Sequence, residues 1–183
     1  MNLPNSLTLS RIFLVPLLLV VLLTGNFPNR EFWGLIVFLA AAATDYFDGY
    51  LARRRQQVTN FGKLFDPLAD KLLISSCLIA LVQLEAAPAW IVVLIVGREF
   101  AVTGLRSIAA TNGITVSASK LGKWKMVSQV ACCGFLIVGN PDPESIFFKT
   151  GNILLWVTAV VSILSMVQYF KVFWGRIGHP GAR

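Results

Sequence analysis

The sequence predicts an all-α integral membrane protein with six transmembrane helices, and three observations carry that reading. Of its 183 residues, 56% are hydrophobic and 14% charged, and the mean hydropathy is +0.70, more apolar material than one soluble core absorbs. The apolar residues gather into six stretches, each near the roughly 20 residues needed to cross about 30 Å of hydrocarbon at about 1.5 Å per residue. Lys and Arg, which give the chain a net charge of +7, crowd onto alternate connections. They belong outside the hydrocarbon, because an unpaired cation at its centre costs roughly 2.5 to 3.5 kcal/mol on insertion scales.

The predicted spans cover residues 7–23, 32–52, 64–84, 89–109, 121–138 and 151–173, each end good to about four residues. Between them stand the breakers Asn26-Phe27-Pro28-Asn29, Ala87-Pro88 and Asn140-Pro141-Asp142-Pro143. The first span resembles a signal peptide in having an apolar run after Arg11. Thr24-Gly25-Asn26 offers no small-x-small cleavage site, however, so an uncleaved first span is expected. Ahead of it, residues 2–8 fit a short interfacial helix or a frayed terminus equally well. With no internal repeat or low-complexity segment, residues 1–183 are expected to form a single domain.

Orientation follows from the short connections. Arg53, Arg54, Arg55 and Lys63 join spans two and three, and Arg106, Lys120, Lys123 and Lys125 join four and five; Arg11, Lys171, Arg176 and Arg183 lie at the two ends. Only Arg30 and Lys149 fall on the other side, so both termini and both basic connections are expected in the cytoplasm, in a multi-pass protein of the cell's inner (cytoplasmic) membrane.

Composition also narrows the chemistry. Cys77, Cys132 and Cys133 lie inside apolar runs without a CxxC spacing and read as small core residues. His179 is the only histidine and sits in a polar tail, which leaves Ser-His-Asp or Cys-His catalysis almost no material. Acid–base work falls to carboxylates.

Four carboxylates stand where a membrane protein rarely has any: Asp45 and Asp48 at the end of span two, Asp66 and Asp70 at the start of span three. On helices, spacings of three and four put each pair on one face, and antiparallel neighbours can aim all four inward. Clustered in a low dielectric, such groups repel and become protonated unless cations neutralise them. Oxygen ligands without His or Cys favour Mg²⁺, Mn²⁺ or Ca²⁺, and four carboxylates suffice for two ions about 3.5 to 4 Å apart, a spacing used in phosphoryl chemistry. The competing reading is structural: Asp66 before Pro67 has the form of a helix cap, and Asp70 can pair with Lys71 or Arg53. That reading suits one aspartate better than four. Gly49 and Gly62 would let a ligand approach the backbone, Ala52 keeps its face small, and Arg53 offers a planar donor fork to a phosphate or a base.

Together these residues spell DxxDGxxAR(x8)GxxxDxxxD, with Asp45, Asp48, Gly49, Ala52, Arg53, Gly62, Asp66 and Asp70 at every fixed place over 26 consecutive residues. The pattern resembles the signature of the CDP-alcohol phosphotransferase family. The resemblance implies a six-helix fold, usually a homodimer in the lipid bilayer, with a polar active-site cavity open to the cytoplasm that CDP-diacylglycerol enters sideways. It implies that Asp45, Asp48 and Asp66 bind a divalent metal, Mg or Mn, as two ions. Asp70 would bind or adjoin the second ion and act as general base. Gly49, Arg53, Thr59 and Gly62 would line the CDP-diacylglycerol site, and no nucleic-acid partner is implied.

Further matches are Asn5-x-Leu7-Thr8-x-x-Arg11, Arg98-Glu99 with Leu105-Arg106, and Ser119-x-x-Gly122-Lys123-x-Lys125, while Met126 departs from the threonine expected there. They resemble the bacterial branch of the family that uses glycerol 3-phosphate as acceptor. The residues give independent support for an acidic acceptor. Arg106, Lys123 and Lys125 would face the same cavity, with Arg98 about two turns deeper, and a dianion suits such a group. Each lysine alone fits as well against lipid headgroups. Arg98, well inside an apolar span, fits that alternative less well; Glu99 is a candidate partner, although sequence neighbours do not share a helix face. Two other expectations stand beside this one: the same chemistry with serine, inositol phosphate or phosphatidylglycerol as acceptor, and a divalent-cation transporter. The transporter fits poorly, because all four aspartates lie near one membrane face.

Overall fold

The computed structural model describes the backbone of residues 3–25, 28–55, 60–111 and 120–177, and the side chains of residues 13–25, 28–44, 71–109, 111, 124–171 and 173–174. Its described residues form six helices and no strand: α1 (Leu3–Leu23), α2 (Arg30–Arg55), α3 (Asn60–Gln83), α4 (Ala89–Thr111), α5 (Lys120–Gly139) and α6 (Ile146–Ile177). Each predicted span lies within or nearly within one helix. The ends differ in instructive ways. Residues from Leu3 onward continue directly into α1, with Pro4 in the first turn, where the missing N–H has no partner to lose, and Pro16 inside. α2 runs on through Arg53-Arg54-Arg55, expected in a connection, because Leu, Ala and Arg are strong helix formers and cations suit a helix C-terminus.

Local chemistry sets the turns. After α3, Glu85 takes a left-handed conformation (φ 59°), its N–H donating to the Val82 carbonyl at 3.0 Å while Ala86 N–H donates to Leu81 at 2.9 Å; this pair of bonds closes the helix end. Ahead of α6, the Ser145 hydroxyl accepts from the Phe148 N–H at 3.2 Å, satisfying one of the orphan donors of the first turn. α5 and α6 then pack closely. A Cβ on Gly151 would come within 2.8 Å of the Leu136 side chain and 2.9 Å of its backbone nitrogen, and one on Gly139 within 2.3 Å of the Phe148 nitrogen.

α3 touches α1, α2, α4 and α5, and α4 packs on α3 and α6. The main core gathers Leu18 and Leu22 of α1, Phe38 of α2, Leu73 and Leu81 of α3, Ile91 and Ile95 of α4, Leu136 of α5 and Leu155 of α6. The outer surface is apolar: Phe13 is 70% exposed and Val93 69%, and Val127, Ile153, Val160 and Leu164 also face outward. Buried polar groups include Arg98, Lys125, Gln129, Thr158, Ser162 and Ser165. Apolar outside with charges inside suits a lipid solvent.

Among the described residues, one stretch, Ile146–Lys171 of α6, is long and apolar enough to cross a membrane by itself; Phe13–Leu23, Lys71–Gln83 and Trp124–Gly139 are apolar but shorter. Within α4, Arg98, Glu99 and Arg106 interrupt the apolar run.

Candidate active site

Asp45, Asp48, Gly49 and Arg53 fall on α2, and Gly62, Asp66 and Asp70 on α3, two helices in contact. α3 begins at Asn60, so Asp66 occupies the helix interior, which removes the cap reading. Helical backbone through both segments keeps each acidic pair on one face. The side chains of residues 45–70 lie outside the described residues, as does Thr59 altogether. No group of three or more His, Cys, Asp or Glu side chains arranged to hold a metal occurs among the described residues. The donor set fits a hard divalent cation by its chemistry: carboxylates alone, on two adjoining helices, with neither His nor Cys in the segment 45–70.

The predicted acceptor residues divide. Arg98 and Lys125 come together. Arg106, eight residues beyond Arg98 and therefore about 12 Å along the helix, is exposed, and Lys123 has no described side chain.

Three buried seams explain why Arg98 and Lys125 meet. On α4 the residues at 91, 95, 98, 102 and 105 are buried; on α6 those at 151, 155, 158, 162, 165 and 169; on α5 those at 125, 129, 132 and 136. The α5 and α6 seams are apolar on the side remote from the basic connections and turn polar towards them, while the α4 seam carries Arg98 between apolar turns. Arg98 takes a place that Ile91 and Ile95 hold higher up, and the small Thr158, Ser162 and Ser165 opposite leave it room. Below Arg98, Val102, Leu105 and Tyr169 close a second apolar cluster.

The hydrogen bonds are specific. Arg98 donates from Nε to the Ser162 carbonyl at 3.1 Å, from Nη2 to Ser165 Oγ at 3.1 Å and from Nη1 to Glu99 Oε1 at 2.7 Å. Lys125 Nζ donates to the same Glu99 oxygen, and Gln129 Nε2 lies 3.4 Å from it. Glu99 thus pairs with its sequence neighbour, contrary to the expectation from helix faces. The reason is side-chain length: both residues are long enough to turn towards the groove that Lys125 and Gln129 also enter. Ser162 Oγ and Thr158 Oγ1 have no partner among the described residues.

Sequence reasoning offered Glu99 as a candidate partner of Arg98 and left Gln129, Ser162 and Ser165 without roles in the site. A signal for two of them was present. Thr158, Ser162 and Ser165 recur at spacings of four and three in an otherwise apolar helix, the mark of a face that receives a polar partner.

These features define an all-helical, membrane-type protein that carries its acidic signature on two touching helices and encloses Arg98 and Lys125 among three others. Comparison with known proteins narrows the class. Residues 1–164 match the model of the CDP-alcohol phosphatidyltransferase family, and the chain belongs to that family. It is 42% identical to a Bacillus subtilis (strain 168) protein named CDP-diacylglycerol--glycerol-3-phosphate 3-phosphatidyltransferase, over 94% of this chain and 95% of that one. Proteins of the same name from Rickettsia felis and Pseudomonas fluorescens are 39% and 34% identical; the matches cover 93% and 100% of this chain and 94% and 95% of theirs.

Proposed function

We propose that the protein transfers the phosphatidyl group of CDP-diacylglycerol to glycerol 3-phosphate, giving phosphatidylglycerol phosphate and CMP in phospholipid biosynthesis. The observation that carries this reading is near full-length likeness to relatives bearing that activity in their names, joined to an unbroken signature from Asp45 to Asp70 on two touching helices.

In this reading residues 1–183 form one domain whose six helices all cross the inner membrane, with both termini and a polar cavity on the cytoplasmic side, and the protein works as a homodimer. The outward apolar surface and the one-sided Lys and Arg support it. The primary hydroxyl of glycerol 3-phosphate attacks the phosphorus attached to diacylglycerol, a P–O bond forms, and the bond to CMP breaks. Asp70 takes the hydroxyl proton. Arg53 steadies the cytidine diphosphate, with Gly49, Thr59 and Gly62 lining its path. Asp45, Asp48, Asp66 and Asp70 hold Mg or Mn, as two ions, which when bound neutralise the charge on the pyrophosphate. Arg98 and Lys125, sharing their charge with Glu99, receive the acceptor phosphate, and Arg106 and Lys123 add positive charge nearer the connection between α4 and α5.

The test is CMP release from CDP-diacylglycerol by purified protein across an acceptor panel, with and without chelator. Release with glycerol 3-phosphate, abolished by chelator and restored by Mg or Mn, is expected. Consumption of serine, inositol phosphate or phosphatidylglycerol in its place overturns the acceptor assignment.

A further inference from the structure

We infer that Glu99 is a positioning residue for the acceptor site, holding Lys125 and Arg98 ready for the acceptor's phosphate; this rests on the acceptor reading above. Three donors from two helices converge on one oxygen, Glu99 Oε1: Arg98 Nη1 at 2.7 Å, Lys125 Nζ, and Gln129 Nε2 at 3.4 Å. The cations are enclosed, with Arg98 5% and Lys125 8% exposed. Two enclosed cations with no anion between them repel, and each loses hydration. Glu99 lowers the charge of the group from +2 to +1, so Lys125 can stay folded inward while no acceptor is bound.

The arrangement is asymmetric, and that asymmetry separates positioning from simple support. Arg98 is also tied to α6 through the Ser162 carbonyl and Ser165 Oγ, both at 3.1 Å, and keeps its place without Glu99. Lys125 is carried by α5, and its ammonium donates to Glu99 on α4, which draws it towards Arg98. Loss of the carboxylate therefore acts on the acceptor chiefly through Lys125.

The experiment measures both KM values and kcat for Glu99→Gln, Lys125→Ala and the double variant in detergent, with thermal unfolding alongside. Glu99→Gln is expected to raise the KM for glycerol 3-phosphate about tenfold while leaving the KM for CDP-diacylglycerol within about twofold. In the Lys125→Ala background the same substitution is expected to add less than about twofold. Should Glu99→Gln fail to fold, Glu99→Asp keeps the charge on a shorter stem and is expected to show the same split at near wild-type thermal stability. Unchanged acceptor KM, equal shifts in both KM values, or full additivity with Lys125→Ala each overturn the inference. Wild-type protein that does not use glycerol 3-phosphate refutes the acceptor reading itself, a result distinct from these.

Discussion

Arg98 on α4 donates its Nε–H to the main-chain carbonyl of Ser162 on α6 at 3.1 Å. A carbonyl inside a helix already accepts from the residue four places on, so this bond uses its second lone pair and fixes the two helices in register. Lysine cannot reproduce it, having no planar fork to serve Ser162, Ser165 and Glu99 at once. Arg98→Lys is expected to lower stability by about 2 to 4 kcal/mol and to weaken glycerol 3-phosphate use, read by thermal unfolding in detergent and by initial rates.

The two serines on that stretch of α6 should behave differently. Ser165→Ala removes an acceptor of Arg98 Nη2 and is expected to cost about 1 to 2 kcal/mol. Ser162 contributes through its carbonyl while its hydroxyl has no partner among the described residues, so Ser162→Ala is expected to stay within about 0.5 kcal/mol of the native protein. Parallel melts of the two variants check this, and equal losses would contradict the hydrogen-bond assignment.

Asp70→Asn tests the proposed base. Turnover should fall at least about 100-fold, because general-base assistance contributes about 10² to 10⁴, while CDP-diacylglycerol binding is largely kept. CMP release and equilibrium binding of the nucleotide-lipid measure the two sides; wild-type turnover would remove Asp70 from that role.

Gly151→Val probes the α5–α6 contact. Its Cβ would stand 2.9 Å from the Leu136 backbone nitrogen, which cannot swing aside as a side-chain tip can. A loss of about 3 kcal/mol or more is expected, at or above the upper end for overpacked cores, with the melting temperature as readout. Gly97, with open space around its Cβ position, serves as the control: Gly97→Ala should be tolerated.

Much of this was legible in the chain itself. The spans at 32–52 and 89–109 lie inside α2 and α4, because apolar runs bounded by proline and asparagine turns leave few other solutions. Arg98 stood out as an arginine within an apolar run. Its surroundings stood out less: Glu99 was a candidate partner against which helix geometry spoke, since adjacent residues point about 100° apart, and only long side chains meeting in one groove bring them together. Likewise, Arg106 and Arg98 look alike in sequence, yet one is exposed and the other enclosed.

The sequence by itself determined the all-helical architecture, the membrane-type composition and the acidic signature, since hydrophobic period, breaker residues and fixed spacing are local properties of a chain. The tertiary structure alone decided which cation meets which anion. Arg98, Lys125 and Ser162 are far apart in sequence, and only the packing of the α4, α5 and α6 seams brings Lys125 to the carboxylate that Arg98 also meets and the Ser162 carbonyl to Arg98. Buried charges are stable only beside partners, so the position of each was settled by three dimensions rather than one.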